Sequence, residues 1–235
     1  NLAWDAYPLP SRDGKTLYYL AMKVPGFEAD RFGIMALDLA SGKAHELDAA
    51  WDRSAGPLQL SADGKTLYTT PDDNGEHALF AIDIASGKAT RLVGDGNVSA
   101  FVVGTKGLIV ARDDFSHPVD LYRYADGKLA QITDVNAQRL ADVRFSKATW
   151  FTFKGWNGEV VHGYAMPPVD AKPGQKYPVA FLIHGGPQSP WTNEFHWSRS
   201  ISTARLVMAR PSPIRSASIG ATVRWRICRK VGRRR

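Results

Sequence analysis

The sequence predicts a mainly β chain: short antiparallel sheets repeated about three times, as in a partial β-propeller, followed by the opening strands of an α/β sheet. Three observations predict it. Two turn-and-strand elements recur at a spacing of 45–50 residues. No sustained helical period appears before residue 140. An unbroken apolar run, Val179 to Ile183, then leads into His184-Gly185-Gly186-Pro187.

The repeat comes first. Ser11-Arg-Asp-Gly-Lys-Thr-Leu-Tyr18 returns as Ser61-Ala-Asp-Gly-Lys-Thr-Leu-Tyr68. Met35-Ala-Leu-Asp-Leu-Ala-Ser-Gly-Lys-Ala44 returns as Phe80-Ala-Ile-Asp-Ile-Ala-Ser-Gly-Lys-Ala89. A weaker third copy runs through Gly104 to Ala111 and Leu121 to Leu129. Asp-Gly and Ser-Gly supply the left-handed backbone that hairpin turns require. The segments between them alternate like half-buried strands. Four short strands in each 40–50 residues are the signature of a propeller blade. Asp38 and Asp83 lie between apolar neighbours, which suggests paired catalytic carboxylates. Their equivalence in the repeat favours outward strand positions or turn-satisfying groups instead.

Beyond residue 145 the pattern changes. Phe151-Thr-Phe-Lys-Gly-Trp-Asn-Gly-Glu-Val-Val-His-Gly163 reads as a hairpin turning at Asn157-Gly158. Val179 to Ile183 has the length and composition of a strand buried on both faces, as in a parallel sheet. It is expected inside the sheet, flanked by strands near 150–154 and 160–166. Two adjacent glycines after it let the backbone turn sharply and present N–H groups.

Charge divides the chain. Residues 199–235 hold 11 of the 30 basic residues and no acid, so the remaining 19 face all 23 acids in residues 1–198. The formal charge of +7 therefore belongs to the tail. The body shows no basic surface for nucleic acid. No apolar run has membrane-spanning length, so neither a nucleic-acid nor a membrane partner is expected. The tail breaks every strand and helix period, and we read it as disordered and translated in a shifted frame from about residues 197–200. A nucleic-acid arm, a membrane-surface segment and a divergent helix are the competing readings. The chain opens on Asn1 rather than methionine, so its first residue is not expected to be a natural start. The compartment stays open between the cytoplasm and the periplasm or exterior. Cys228, the single cysteine, forms no internal disulfide or cysteine metal cluster.

Taken together, the repeat, the hinge segment Leu129 to Asn136, the hairpin and HGGP resemble the prolyl oligopeptidase family, in its acylaminoacyl-peptidase and dipeptidyl-peptidase-like branch. The resemblance covers about residues 7 to 197. It implies a partial propeller over residues 1–145, the start of an α/β-hydrolase peptidase domain over 146–198 and the basic tail over 199–235. It further implies a serine peptidase acting on short peptides, without a cofactor, beneath a propeller that filters substrates by size. Its nucleophile sits in a Gly-x-Ser-x-Gly-Gly elbow, with an aspartate and a histidine further on.

By the same resemblance, Gly186 is the oxyanion donor through its backbone N–H, Gly185 permits the turn, and His184 stands where relatives carry a tyrosine. No complete triad is expected in this chain. Its last Asp is Asp170, its last Glu is Glu194 and its last His is His196. The nearest thing to an elbow, Ser216-Ala-Ser218-Ile-Gly220, has serine where the first glycine belongs. His45, His77, His117 and His162 show no metal spacing and are taken as surface or turn residues. The tryptophans are taken as core and inter-blade packing. The alternative function is a propeller piece that binds peptides or a protein partner. The hairpin and HGGP have no role in such a module.

Overall fold

The computed structural model describes residues 2–155, 157–182 and 190–195, and the backbone of 204–209. Strand is the main regular structure among the described residues. Strands β1 (Asp5–Pro10), β2 (Thr16–Ala21), β3 (Gly33–Asp38) and β4 (Ala44–Glu46) form a four-stranded antiparallel meander. The next stretch supplies β5 (Gln59–Leu60), β6 (Thr66–Thr69), a small hairpin of β7 (Asp72–Asp73) and β8 (Glu76–His77), then β9 (Leu79–Asp83) and β10 (Ala89–Val93). A second four-stranded sheet takes the order β10-β9-β6-β5 and leaves the hairpin out.

The hairpin joins the third sheet. There β11 (Asn97–Gly104), β12 (Gly107–Asp113), β13 (Asp120–Ala125) and β14 (Lys128–Gln131) are antiparallel neighbours. β8 adds to β11 in parallel through the pair Asn97↔His77, giving the six-stranded order β14-β13-β12-β11-β8-β7. A strand connection of one sheet thus completes the edge of the next.

The repeated sequences form equivalent turns. Ser11 Oγ donates to Asp13 Oδ1 at 2.7 Å, and the Thr16 N–H donates back to Ser11 Oγ at 2.9 Å. Ser61 and Asp63 reproduce this at 2.6 Å, with Thr66 at 3.0 Å. Gly14 and Gly64 both take left-handed backbone, at φ 68° and 73°. The second repeat behaves the same way. Asp38 Oδ1 accepts from the Ser41 N–H and hydroxyl, as Asp83 Oδ1 does from Ser86. These two aspartates are therefore turn-satisfying groups.

Packing joins the sheets in sequence. Tyr18, Leu20, Ile34 and Ala36 of the first sheet pack on Leu67, Phe80 and Ile82 of the second. Leu79 and Val93 of the second pack on Val98, Phe101, Leu108 and Val110 of the third. Trp51 seals the first junction against Phe80, at 5.1 Å between ring centroids. Gln59 ties the second junction, donating to the Phe101 carbonyl at 2.7 Å and accepting from the Val103 N–H at 3.2 Å.

After the single-turn helix α1 (Ala137–Leu140) comes a fourth sheet. It contains β15 (Thr149–Lys154), β16 (Val160–Met166), β17 (Val179–Leu182) and β18 (Ala204–Ala209), in the order β15-β16-β18-β17. The β15–β16 hairpin has the expected place, with Gly158 at φ 80° in its turn. The neighbours of β17 differ from expectation. β17 does not pair with β16. β18 lies between them, antiparallel to β16 and parallel to β17. β17 is an edge among the described residues, and Val179 is 66% exposed. β18 also falls where the sequence shows no strand period. Arg205 interrupts its apolar run at the second position, which hides the strand Ala-Arg-Leu-Val-Met-Ala from pattern reading.

Candidate active site

The predicted oxyanion residues His184, Gly185 and Gly186 lie outside the described residues, as do Ser216, Ser218 and Cys228. What can be built is the chain on either side of the motif. Upstream, β17 ends at Leu182. Downstream, Trp191 to Phe195 is described. Leu182 and Trp191 both pack against one cluster of Phe115, Tyr164 and Met166, together with Ala148. Phe115 belongs to the connection after β12, and the other two to β16. The chain entering and the chain leaving the motif thus share an apolar anchor drawn from two sheets. Rings fix its geometry: Phe115 and Trp150 approach Tyr164 edge-on, at 5.0 and 4.6 Å between centroids.

The β7–β8 turn meets this anchor. Asn74 and Gly75 both take left-handed backbone, at φ 52° and 85°, the pattern of a two-residue hairpin turn. The Gly75 carbonyl accepts from the Tyr164 hydroxyl at 3.1 Å and from the Asn193 N–H at 3.0 Å. A Cβ at Gly75 would lie 2.6 Å from a Trp150 ring carbon. Glycine is required there for both the backbone conformation and the close approach. Desolvation pushes the Tyr164 phenol well above its ordinary value; the Glu76 charge adds to this and Arg91 opposes it. Tyr164 therefore stays a protonated donor.

A second anchor sits at the end of β12. Asp113 is buried, and its two carboxylate oxygens accept from Asn97 Nδ2 at 2.7 Å and from the Phe195 N–H at 2.8 Å. Phe195 also meets Phe145 edge-on at 5.7 Å. Behind the hairpin lies a charged network. Asp73 pairs with Arg53 at 2.8 Å and Arg91 at 3.1 Å, and Arg91 also pairs with Glu76. Desolvation raises the Glu76 carboxyl, while Arg91 opposes the shift. These pairs stiffen the base of the β7–β8 turn.

Other singled-out residues fall elsewhere. His77 and His162 are half-buried strand residues in β8 and β16, which corrects their reading as surface or turn groups. His77 Nδ1 meets the Val98 carbonyl at 2.7 Å, and the His162 ring packs on Trp150. His117 is a loop residue bonded to Asp114 at 2.8 Å, and His45 is exposed in β4. A cleft of about 260 Å³ lies between the outer strands of the third sheet and α1, lined by Asp120, Tyr122, Gln131 and Phe145 among others. The Asp120 carboxylate there is already bonded to the Thr133 hydroxyl and the Val135 N–H. Sequence reading missed Gly75 and Asp113. Asn74-Gly75 is a strong hairpin signal, but its neighbours Asp72, Asp73, Glu76 and His77 are polar and hide the flanking strands.

No family model matches the chain. It is 30% identical to a probable dipeptidyl-peptidase 5 of Aspergillus clavatus over 226 residues, covering 91% of this chain and 31% of the relative. It is 28% identical to a dipeptidyl-peptidase 5 of Porphyromonas gingivalis over 205 residues, covering 84% and 30%. The chain therefore spans about a third of the length of these curated relatives. A match over 91% of 235 residues necessarily continues past Trp197. Among solved structures, an acylaminoacyl peptidase of Pyrococcus horikoshii superposes with a TM-score of 0.69 at 20% identity, over 86% of this chain and 32% of its own. An acylaminoacyl peptidase in complex with Z-Gly-Gly-Phe-chloromethyl ketone gives 0.68 at 22% identity, over 83% and 31%. The dipeptidyl peptidase 4 of Porphyromonas gingivalis gives 0.62 at 18% identity, over 86% and 30%. These likenesses establish a shared fold.

Proposed function

We propose that this chain, which belongs to the prolyl oligopeptidase family, is the part of a serine peptidase that joins its propeller to its catalytic domain. The first three sheets are read as three blades. The fourth sheet is read as the opening of an α/β-hydrolase domain. One observation carries this most directly: the parallel pair β17–β18, with HGGP following β17 in the chain. Parallel strands need a long crossover between them. A free propeller has no use for this fourth sheet or for the HGGP segment that follows β17.

In this reading the substrates are short peptides. His184-Gly185-Gly186 forms one side of the oxyanion hole, with the Gly186 N–H as donor. One such donor is worth about 3–4 kcal/mol of transition-state stabilisation. The nucleophile, its base and its orienting acid are supplied by sequence that this chain does not contain. A donor without a nucleophile stabilises a charge that never forms, because nothing attacks the carbonyl. The chain on its own is therefore inactive.

The test is hydrolysis by a gene product extended to the length of the relatives. Dipeptidyl and acylaminoacyl p-nitroanilides would be offered to it and to the 235-residue chain. Release of nitroaniline by the extended product alone is expected. Saturable peptide binding by both, with hydrolysis by neither, would replace this reading with a propeller binding module.

A further inference from the structure

The cleft between the outer strands of the third sheet and α1 holds about 260 Å³ and has two kinds of wall. Leu140, Val143 and Phe145 are apolar, whereas Asp120, Gln131 and Asp134 are polar. Its lining contains no lysine or arginine. Asp120 is the unusual member. It is 6% exposed, and its hydrogen bonds from the Thr133 hydroxyl at 2.7 Å and the Val135 N–H at 3.2 Å both go to Oδ1. Among the described residues Oδ2 has no donor and no ion pair. A carboxylate set so deep is destabilising unless a cation or a further donor reaches it. The cations nearby are already engaged. Arg112, 5.9 Å from the Tyr122 ring centroid, pairs with Asp114 at 3.5 Å. His117, also in the lining, meets Asp114 through Nδ1 at 2.8 Å. Gln131 donates through Nε2 to the Thr133 carbonyl at 2.8 Å, which leaves its side-chain oxygen as an acceptor. Asp134 is exposed at the rim.

We propose that this cleft binds a primary ammonium group carried on an aliphatic chain, with Asp120 Oδ2 as its principal acceptor. An alkylammonium has three N–H donors and no acceptor. Asp120, Gln131 and Asp134 offer three acceptors, two of them charged, and a charged hydrogen bond is roughly twice as strong as a neutral one. The apolar wall takes the aliphatic chain. A bare metal ion suits the cleft less well. It would leave the apolar half unfilled, and among the described residues no three His, Cys, Asp or Glu side chains converge on one point. A free alkylamine and the lysine side chain of a peptide both present the required chemistry. Either would lie against α1, Val143 and Phe145, on the connection from the third sheet to the fourth. The site shares no residue with the proposed oxyanion motif and is independent of it.

The test is a titration of the 235-residue chain with pentylammonium chloride at neutral pH, followed by backbone amide NMR shifts. Saturable shifts at Asp120, Gln131 and Asp134 are expected, with a Kd of about 1 mM for so small a probe. Pentanol, the same chain without the charge, is expected to bind at least tenfold more weakly. Asp120→Asn keeps an oxygen for Thr133 and Val135 but removes the charge, and is expected to weaken binding at least tenfold. Ala137→Phe, which fills the cleft from α1, is expected to abolish it. No saturable shifts, shifts centred elsewhere, equal binding of pentanol, or unchanged affinity in Asp120→Asn would overturn the proposal. So would displacement of pentylammonium by an equal concentration of calcium chloride. Should Asp120→Asn fail to fold, Asp134→Asn at the rim decides the matter: binding weakened about threefold or more supports the site, as expected for loss of a charged acceptor, and unchanged binding overturns it. Nα-acetyl-lysine methylamide separates the two sources. Binding as tight as pentylammonium assigns the cleft to lysine side chains and weaker binding to free amines, and both results support the ammonium site.

Discussion

Gly42 and Gly87 offer a paired test of how the sheets stack. They occupy equivalent turns, with φ 68° and 69°, and each donates its N–H to the carbonyl of the aspartate that opens the turn. An alanine at either place pays the same left-handed backbone cost, about 1–2 kcal/mol. Their surroundings differ. A Cβ on Gly42 would meet nothing within 4 Å, whereas one on Gly87 would lie 1.8 Å from the Leu47 carbonyl oxygen. That oxygen belongs to the connection after β4, where the first sheet rides over the second. It is backbone, so no flexible side chain can yield. Moving the two sheets apart adds an overpacking cost of about 1–3 kcal/mol. Gly42→Ala should therefore destabilise the chain by about 1–2 kcal/mol, and Gly87→Ala by about 2–5 kcal/mol. Urea unfolding followed by far-UV circular dichroism reads the difference as a lower midpoint for Gly87→Ala at unchanged slope. Equal midpoints for the two variants would refute the close stacking of the first sheet on the turn of the second.

The other predictions use the same repeat. Leu67→Ala should cost about 2–5 kcal/mol in the same assay, because Leu67 is fully buried between the sheets. Its equivalent Leu17 is half-buried on the outer face of the first sheet and should cost less. The Asp38 and Asp83 carboxyls are held below the usual range, mainly by the Ser41 and Ser86 hydroxyls and then by backbone N–H groups. A lowered folded pKa adds stability above the unfolded value near 3.8, and this is lost as pH falls through the folded value. Asp38→Asn with Asp83→Asn should therefore shrink the loss of stability on acidification below pH about 4, and an unchanged acid profile would count against the turn bonds.

The turns were legible because their chemistry is local. Ser-x-Asp-Gly specifies a side-chain bond and a left-handed glycine within four residues, and the structure forms both copies alike. The strand opening at Val179 was legible from its composition. Its neighbours were not, since pairing depends on a segment 25 residues away whose second residue is Arg205. The β7–β8 hairpin was hidden for a related reason. Its strands are two residues long and polar, and its place in the third sheet rests on the single pair Asn97↔His77. Of the site, the glycines of HGGP are readable as a turn. Asp113 is not readable as an anchor, because a buried acid at a strand end looks in sequence like any turn residue.

The central claim is that this chain carries the oxyanion side of a serine peptidase and not its nucleophile. A serine-directed fluorophosphonate probe tests it most directly, applied to the purified 235-residue chain and to the extended gene product. The account predicts stoichiometric labelling of the extended product at one serine and none of the short chain. Labelling of the short chain would contradict the missing nucleophile, and an unlabelled extended product would contradict the peptidase assignment itself.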